Sequence, residues 1–193
     1  VKLTGLDRRP LLVILAGPNG AGKTTFYRAH LAAAGLRFVN ADVLAEDLGL
    51  DAAAAAKAAR ALAGALLQRR ESFVFETVFS DPVGQKLGWL ADVEADGYTT
   101  LLCYIGLSSA RVSEERVAMR VSQGGHDVSS RKLQSRYRRS LTNLRRALRQ
   151  GARVVVYDNG DLRFPFQFVA AFERGRCVER ARRLPPWFAR LLR

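Results

Sequence analysis

Leu11-Leu12-Val13-Ile14-Leu15-Ala16-Gly17-Pro18-Asn19-Gly20-Ala21-Gly22-Lys23-Thr24-Thr25 decides the fold. Residues 11–16 are a short apolar run bounded by glycine, the pattern of a strand buried on both faces of a parallel sheet. Residues 17–24 match G-x-x-x-x-G-K-[ST]. A helix is expected from about Gly22 to Ala34, with Gly35 as its C-terminal cap. In such a strand–loop–helix unit the glycines let successive N–H groups converge on phosphate oxygens, and the helix N-terminus adds partial positive charge. Gly17, Pro18, Asn19, Gly20, Ala21, Gly22, Lys23, Thr24 and Thr25 are therefore the expected nucleotide-binding residues. Lys23 reaches the β- and γ-phosphates, and the Thr24 hydroxyl ligates Mg2+. The expected ligand is a nucleoside triphosphate, ATP or GTP, with magnesium.

Outward from this loop, strands and helices alternate. Strands are expected at 36–40, 72–76, 98–107 and 153–157. Helices are expected at 43–48, from Asp51 to about Arg70, and at 83–96, 109–122 and 131–150. In the Asp51 helix, Leu62, Leu66 and Leu67 supply the apolar face, and the Ala52–Ala56 run reads as helix filler. Residues 164–178 suggest a β-hairpin turned at Glu173–Gly175, before a short helix at 185–192. The class is α/β: one domain over residues 1–193, its parallel sheet covered by helices on both faces, with a helical lid at about 109–150 and a small C-terminal β-hairpin.

Ligands in such sheets bind beyond the C-terminal strand ends. Asn40-Ala41-Asp42 ends the second strand, and Glu76-Thr77 ends the third. Asp42 can take the proton of an acceptor hydroxyl as it attacks the γ-phosphate, or it can cap the helix at 43–48. Glu76 suits acceptor-hydroxyl binding or positioning of the metal through water. No apolar run before residue 100 ends in Asp, and the strand at 98–107 ends in Gly106-Leu107-Ser108. A mechanical NTPase's second magnesium carboxylate is thus missing, which favours small-kinase architecture.

The chain has 193 residues, and its 31 Lys+Arg against 18 Asp+Glu give a net charge of +13. Residues 1–110 carry 11 basic and 11 acidic side chains; residues 111–193 carry 20 and 7, which is the whole excess. At 48% apolar and 25% charged residues, a disordered polyelectrolyte is excluded. Cys103 and Cys177 make no disulfide framework, and Cys103 reads as a buried inert thiol. No apolar stretch reaches the roughly 18 residues of a spanning helix. No signal peptide is recognisable, so the cytoplasm is the expected compartment and no membrane partner is expected.

Much of the excess falls in the expected lid. Arg116 and Arg120 are i,i+4 neighbours, Arg136 and Arg139 i,i+3 neighbours, and Gly124-Gly125 lies between the two helices as a hinge. Arginine forks stabilise the equatorial oxygens of a transferring phosphoryl group. His126 beside the hinge is a loop anchor or a substrate contact; no second His or Cys cluster makes it a metal ligand. The alternative use of this basic half is nucleic-acid binding or modification, with Tyr137 and the Arg136–Arg139 run offering stacking and charge. No RNA module is recognisable, so nucleic acid is not the expected partner.

Six blocks, AGPNGAGKTT (16–25), FVNAD (38–42), FVFETVFS (73–80), RVSQGGHDV (120–128), RYRRSLTNL (136–144) and VVVYDN (154–159), resemble the zeta-toxin family of P-loop kinases, in a compact Gly-Gly-His branch. The resemblance implies a P-loop kinase fold and transfer of phosphate to a hydroxyl of a UDP-N-acetylated amino sugar, with an antitoxin as the possible protein partner. By position it gives Lys23 and Thr24 the phosphates and metal, makes Asp42 the general base, and sets Arg120 and Arg136 around the transferred phosphate. Asn40, Asp42, Glu76, Thr77 and His126 make up the candidate substrate-binding set.

Overall fold

The computed structural model describes residues 6–122 and 128–193. Seven strands form one sheet: β1 (Leu11–Ala16), β2 (Arg37–Val39), β3 (Phe73–Thr77), β4 (Thr99–Gly106), β5 (Val154–Asp158), β6 (Gln167–Glu173) and β7 (Arg176–Arg180), in the order β2-β3-β1-β4-β5-β6-β7. The first five are parallel, as the alternation predicts. The C-terminal hairpin is not a separate unit. It continues the sheet, with β6 antiparallel to β5 and β7 antiparallel to β6.

Alternation along β1 explains the layers. Leu12, Ile14 and Ala16 face one core, with α3 (Ala52–Gln68), α4 (Gln85–Ala95), the second half of α6 (Ser130–Arg149) and α7 (Pro186–Leu191). Leu11, Val13 and Leu15 face the other, with Phe26, Leu31, the start of α5 (Ala110–Val121) and Tyr137. All six β1 residues are fully buried, each large one contributing about 1.5–3 kcal/mol. Cys103 is buried among them, and burial pushes its thiol pKa far up.

Three local expectations need correction. The helix after the loop is not uniform: α1 (Lys23–Phe26) widens into a π turn at Tyr27–Leu31 and tightens into a 3-10 turn at Ala32–Ala34 before Gly35. There Tyr27 stacks on Phe38 at 4.0 Å, closing this layer over the short β2. On α3 the buried stripe is Ala55, Ala59, Ala63 and Leu66, at i, i+4, i+8 and i+11, whereas Leu62 points outward. Small side chains let α3 lie close to the sheet. Finally, Asn40 rather than Asp42 caps α2 (Ala41–Leu48): its Oδ1 accepts from the N–H groups of Asp42 and Val43 at 2.7 and 3.3 Å.

Candidate active site

β1 lies between β3 and β4, so the loop after it opens at the centre of the sheet's C-terminal edge. Gly17 has φ 147°, and a Cβ there would sit 2.2 Å from the Ile105 carbonyl oxygen; only glycine fits against β4. The three carbonyls that follow Pro18 are tied down from outside the loop. Ser113 Oγ donates to Asn19 O (2.7 Å), Arg116 Nη1 points at Gly20 O (3.4 Å), and Asn159 Nδ2 donates to Ala21 O (2.9 Å). No side chain caps α1, so its first-turn N–H groups are available to phosphate oxygens.

Strand register assembles the next layer. Glu76 is paired with Leu15 and Thr77 with Ala16, so both end beside the loop; Val39 opposite Phe75 brings Asn40 next to Glu76. The Glu76 carboxylate is a hub. Its Oε1 lies 3.3 Å from Lys23 Nζ, and its Oε2 accepts from Thr24 Oγ1 (3.2 Å) and from Asn40 Nδ2. Lys23 Nζ also donates to Pro18 O at 3.2 Å. Lys23 is only 7% exposed, so its charge needs these partners. Thr77 Oγ1 accepts from the Phe79 N–H (3.1 Å), holding the turn after β3.

Next to this hub opens a cleft of about 960 Å3. Of the loop residues only Asn19 lines it, so the loop after β1 borders the cleft at that residue. Asn40, Asp42, Glu76 and Thr77 line the sheet side, and Arg120, Lys132 and Arg136 the opposite side. The third wall is the small-residue face of α3, including Ala52, Ala55, Ala56 and Gly64, with Phe75 and Trp89 in edge contact at its base. The alanines that read as filler are thus a cleft wall. Asp42 is exposed on the first turn of α2, its carboxylate released from capping by Asn40.

The four lid arginines divide. Arg120 and Arg136 both reach the cleft. Arg116 instead braces the loop, with Nη2 3.5 Å from Gly160 O, and burial lowers its pKa against the opposing pull of Asp158. Arg139 does not line the cleft. Most of α6 is anchored: Tyr137 Oη donates to Leu107 O (3.0 Å), Ser140 Oγ lies 2.6 Å from Tyr104 Oη, and Asn143 Nδ2 donates to Phe79 O (3.0 Å). His126 and the Gly124-Gly125 hinge lie outside the described residues. Sequence reading gave Ser113 no role and set Asn159, after the fifth strand, near an expected nucleotide base; in the structure its amide holds the Ala21 carbonyl. Nothing in a helix sequence marks Ser113.

Among the described residues no group of three or more His, Cys, Asp and Glu could hold a metal, and no helix is long and apolar enough to cross a membrane. The oxygens of Thr24 and Glu76, 3.2 Å apart, suit a hard cation that takes its remaining ligands from phosphate and water.

The AAA domain family matches residues 12–185, and no curated protein matches the chain. Among solved structures, the AvrRxo1-ORF1:-ORF2 complex with ATP superposes at TM-score 0.68 and 19% identity, over 88% of this chain and 60% of that one. A structure of the PezAT chromosomal toxin–antitoxin system of Streptococcus pneumoniae gives TM-score 0.59 at 18% identity, over 78% and 69% of the two chains. Shikimate kinase from Acinetobacter baumannii in complex with shikimate gives 0.54 at 14%, over 81% and 87%. These likenesses show a P-loop kinase fold. The chain spans only 60% of the matched AvrRxo1 chain.

Proposed function

The chain belongs to the AAA domain family, and on that premise we propose that it is an ATP- and Mg2+-dependent kinase that phosphorylates a hydroxyl of a small molecule. The observation that carries this reading is the convergence of Lys23, Thr24 and Asn40 on Glu76, at the rim of a cleft that Asp42, Arg120 and Arg136 also line. A phosphate cradle opening onto a substrate-sized cleft suits transfer to a second molecule, since small-molecule sites run to about 1,000 Å3.

In the proposed reaction the loop N–H groups and Lys23 hold the β- and γ-phosphates. Asp42 accepts the acceptor's hydroxyl proton as that oxygen bonds to the γ-phosphorus. The bond from the γ-phosphorus to the β–γ bridging oxygen breaks, and ADP leaves with the electron pair. Arg120 and Arg136 stabilise the equatorial oxygens in flight. Magnesium, held through Thr24 and Glu76, would neutralise charge on the β- and γ-oxygens.

The finer reading is an acceptor of the UDP-N-acetylated amino sugar class, with the protein acting as a zeta-type toxin in the cytoplasm and neutralised by an antitoxin. The likeness to the PezAT chain and the cations lining the cleft support it.

The test is incubation with labelled ATP and UDP-N-acetylglucosamine, then with a metabolite extract, followed by mass spectrometry. A UDP-sugar phosphate is the expected product; a different phosphorylated species would keep the kinase and replace the acceptor. Asp42→Asn should keep ATP binding and lose transfer by about 10²–10⁴-fold, whereas Lys23→Ala should lose both. Wild-type transfer by Asp42→Asn would remove Asp42 as the base.

A further inference from the structure

The loop after β5 contacts the phosphate loop, and something must hold it in turn. Its anchor comes from the C-terminal helix. Trp187, on the first turn of α7, is 3% exposed, and its Nε1 donates to Asp158 Oδ1 at 2.9 Å. The same oxygen accepts from the Gly160 N–H at 3.2 Å. Asp158 is paired with Gly106 on β4, and the indole packs tightly against that glycine: a Cβ there would be 2.1 Å from Trp187 Cζ2. Gly106 is therefore bare because the indole occupies the space a side chain would need. The Gly106 carbonyl also accepts the Asn159 N–H at 2.9 Å.

From residues 158–160 two contacts run to the phosphate loop. Asn159, itself 3% exposed, donates to Ala21 O, and Gly160 O faces Arg116, whose other nitrogen faces Gly20 O. The chain of contacts is thus Trp187 to Asp158, Asp158 to Gly160, and Asn159 and Arg116 to the loop carbonyls. Nothing in this chain lines the cleft that holds Asp42.

We propose that Trp187 is a positioning residue for the nucleotide site: through Asp158 it fixes residues 158–160, which hold the Gly20 and Ala21 carbonyls and so keep the loop N–H groups aimed at phosphate. Its effect on ATP affinity rests on the kinase reading above; its effect on loop order does not.

Two readouts separate the two. Trp187→Phe keeps an aromatic ring over Gly106 and removes the N–H donor. Amide hydrogen exchange over residues 17–22, measured without nucleotide, should rise in this variant. The Kd for ATP should rise by about 3–10-fold, with acceptor KM unchanged. Asp158→Ala should give the same shifts, and the double variant should add little. Val93→Ala is the control, since Val93 is buried in the same core but on α4, and takes no part in the contacts around Asp158. It should lower Tm without moving the ATP Kd at a temperature where the protein is folded.

Wild-type exchange in Trp187→Phe would overturn the proposal, as would an equal Kd shift in Val93→Ala. Raised exchange in a protein whose wild type binds no ATP would leave the positioning role intact and overturn the kinase reading instead.

Discussion

The two sides of the site are built on opposite principles. On the proposed nucleotide side, the backbone is the ligand-facing part, and side chains from α5 and the β5–β6 connection grip consecutive carbonyls of the loop. On the proposed acceptor side, side chains from α2, α3, α5 and α6 line one cleft, and Asn40 is held by Glu76 at its sheet edge. A phosphate group is the same in every nucleotide, so its cradle can be fixed and generic. An acceptor differs from enzyme to enzyme, so its cleft must be shaped by residues that can vary without disturbing the cradle. The Glu76 carboxylate is where the two sides meet.

The strongest way to break this division is to remove a group that belongs to the transfer rather than to either ligand. Arg120→Ala should lower kcat by about 10³–10⁵-fold if its guanidinium meets the transferring phosphoryl group, while the Kd for ATP stays within a few-fold. Steady-state kinetics beside equilibrium nucleotide binding would show it. A rise in acceptor KM at constant kcat would move Arg120 wholly to the acceptor side.

The same division explains what the sequence could reveal. The loop was legible because its chemistry is local: strand, glycines, Lys23 and Thr24 are consecutive, and the strand-end rule then located Asp42 and Glu76. Five parallel strands followed from short apolar runs alternating with helical stretches. What escaped depends on register and tertiary packing. Asn40 binds Glu76 because β2 pairs with β3 in one particular register, while the same side chain caps α2 locally. Ser113 and Arg116 face the loop because of how α5 leaves β4, which no helical period encodes. The alanines of α3 carry no chemistry of their own, so only their place opposite Asp42 marks them as a wall.

That wall gives the second prediction. Ala56 is half-buried and lines the cleft. Ala56→Phe would fill space there without touching the loop, and acceptor kcat/KM should fall by about 10–100-fold. ATP affinity should not change. A parallel loss of ATP affinity would mean that cradle and cleft are not independent, and the comparison above would fail at α3.

The smallest expected effect lies behind the loop. His30 packs against Phe26 and Phe166, at 4.8 and 5.8 Å between ring centroids, and Phe166 would contact any Cβ placed on Gly22. Burial lowers the His30 pKa below the ordinary 6.5. The unfolded chain therefore takes up a proton here first as pH falls. Above about pH 6.5 both states are neutral at this site and it contributes nothing to the pH dependence; below that, stability is lost progressively until pH drops through the folded-state pKa. Replacing the imidazole by an apolar ring removes this dependence and keeps the packing. His30→Phe should therefore flatten the fall in Tm as the pH drops below about 6.5, as read by calorimetry. An unchanged slope would mean that the imidazole is as well hydrated in the fold as in the open chain, and that the aromatic cluster under the loop does not exclude water from it.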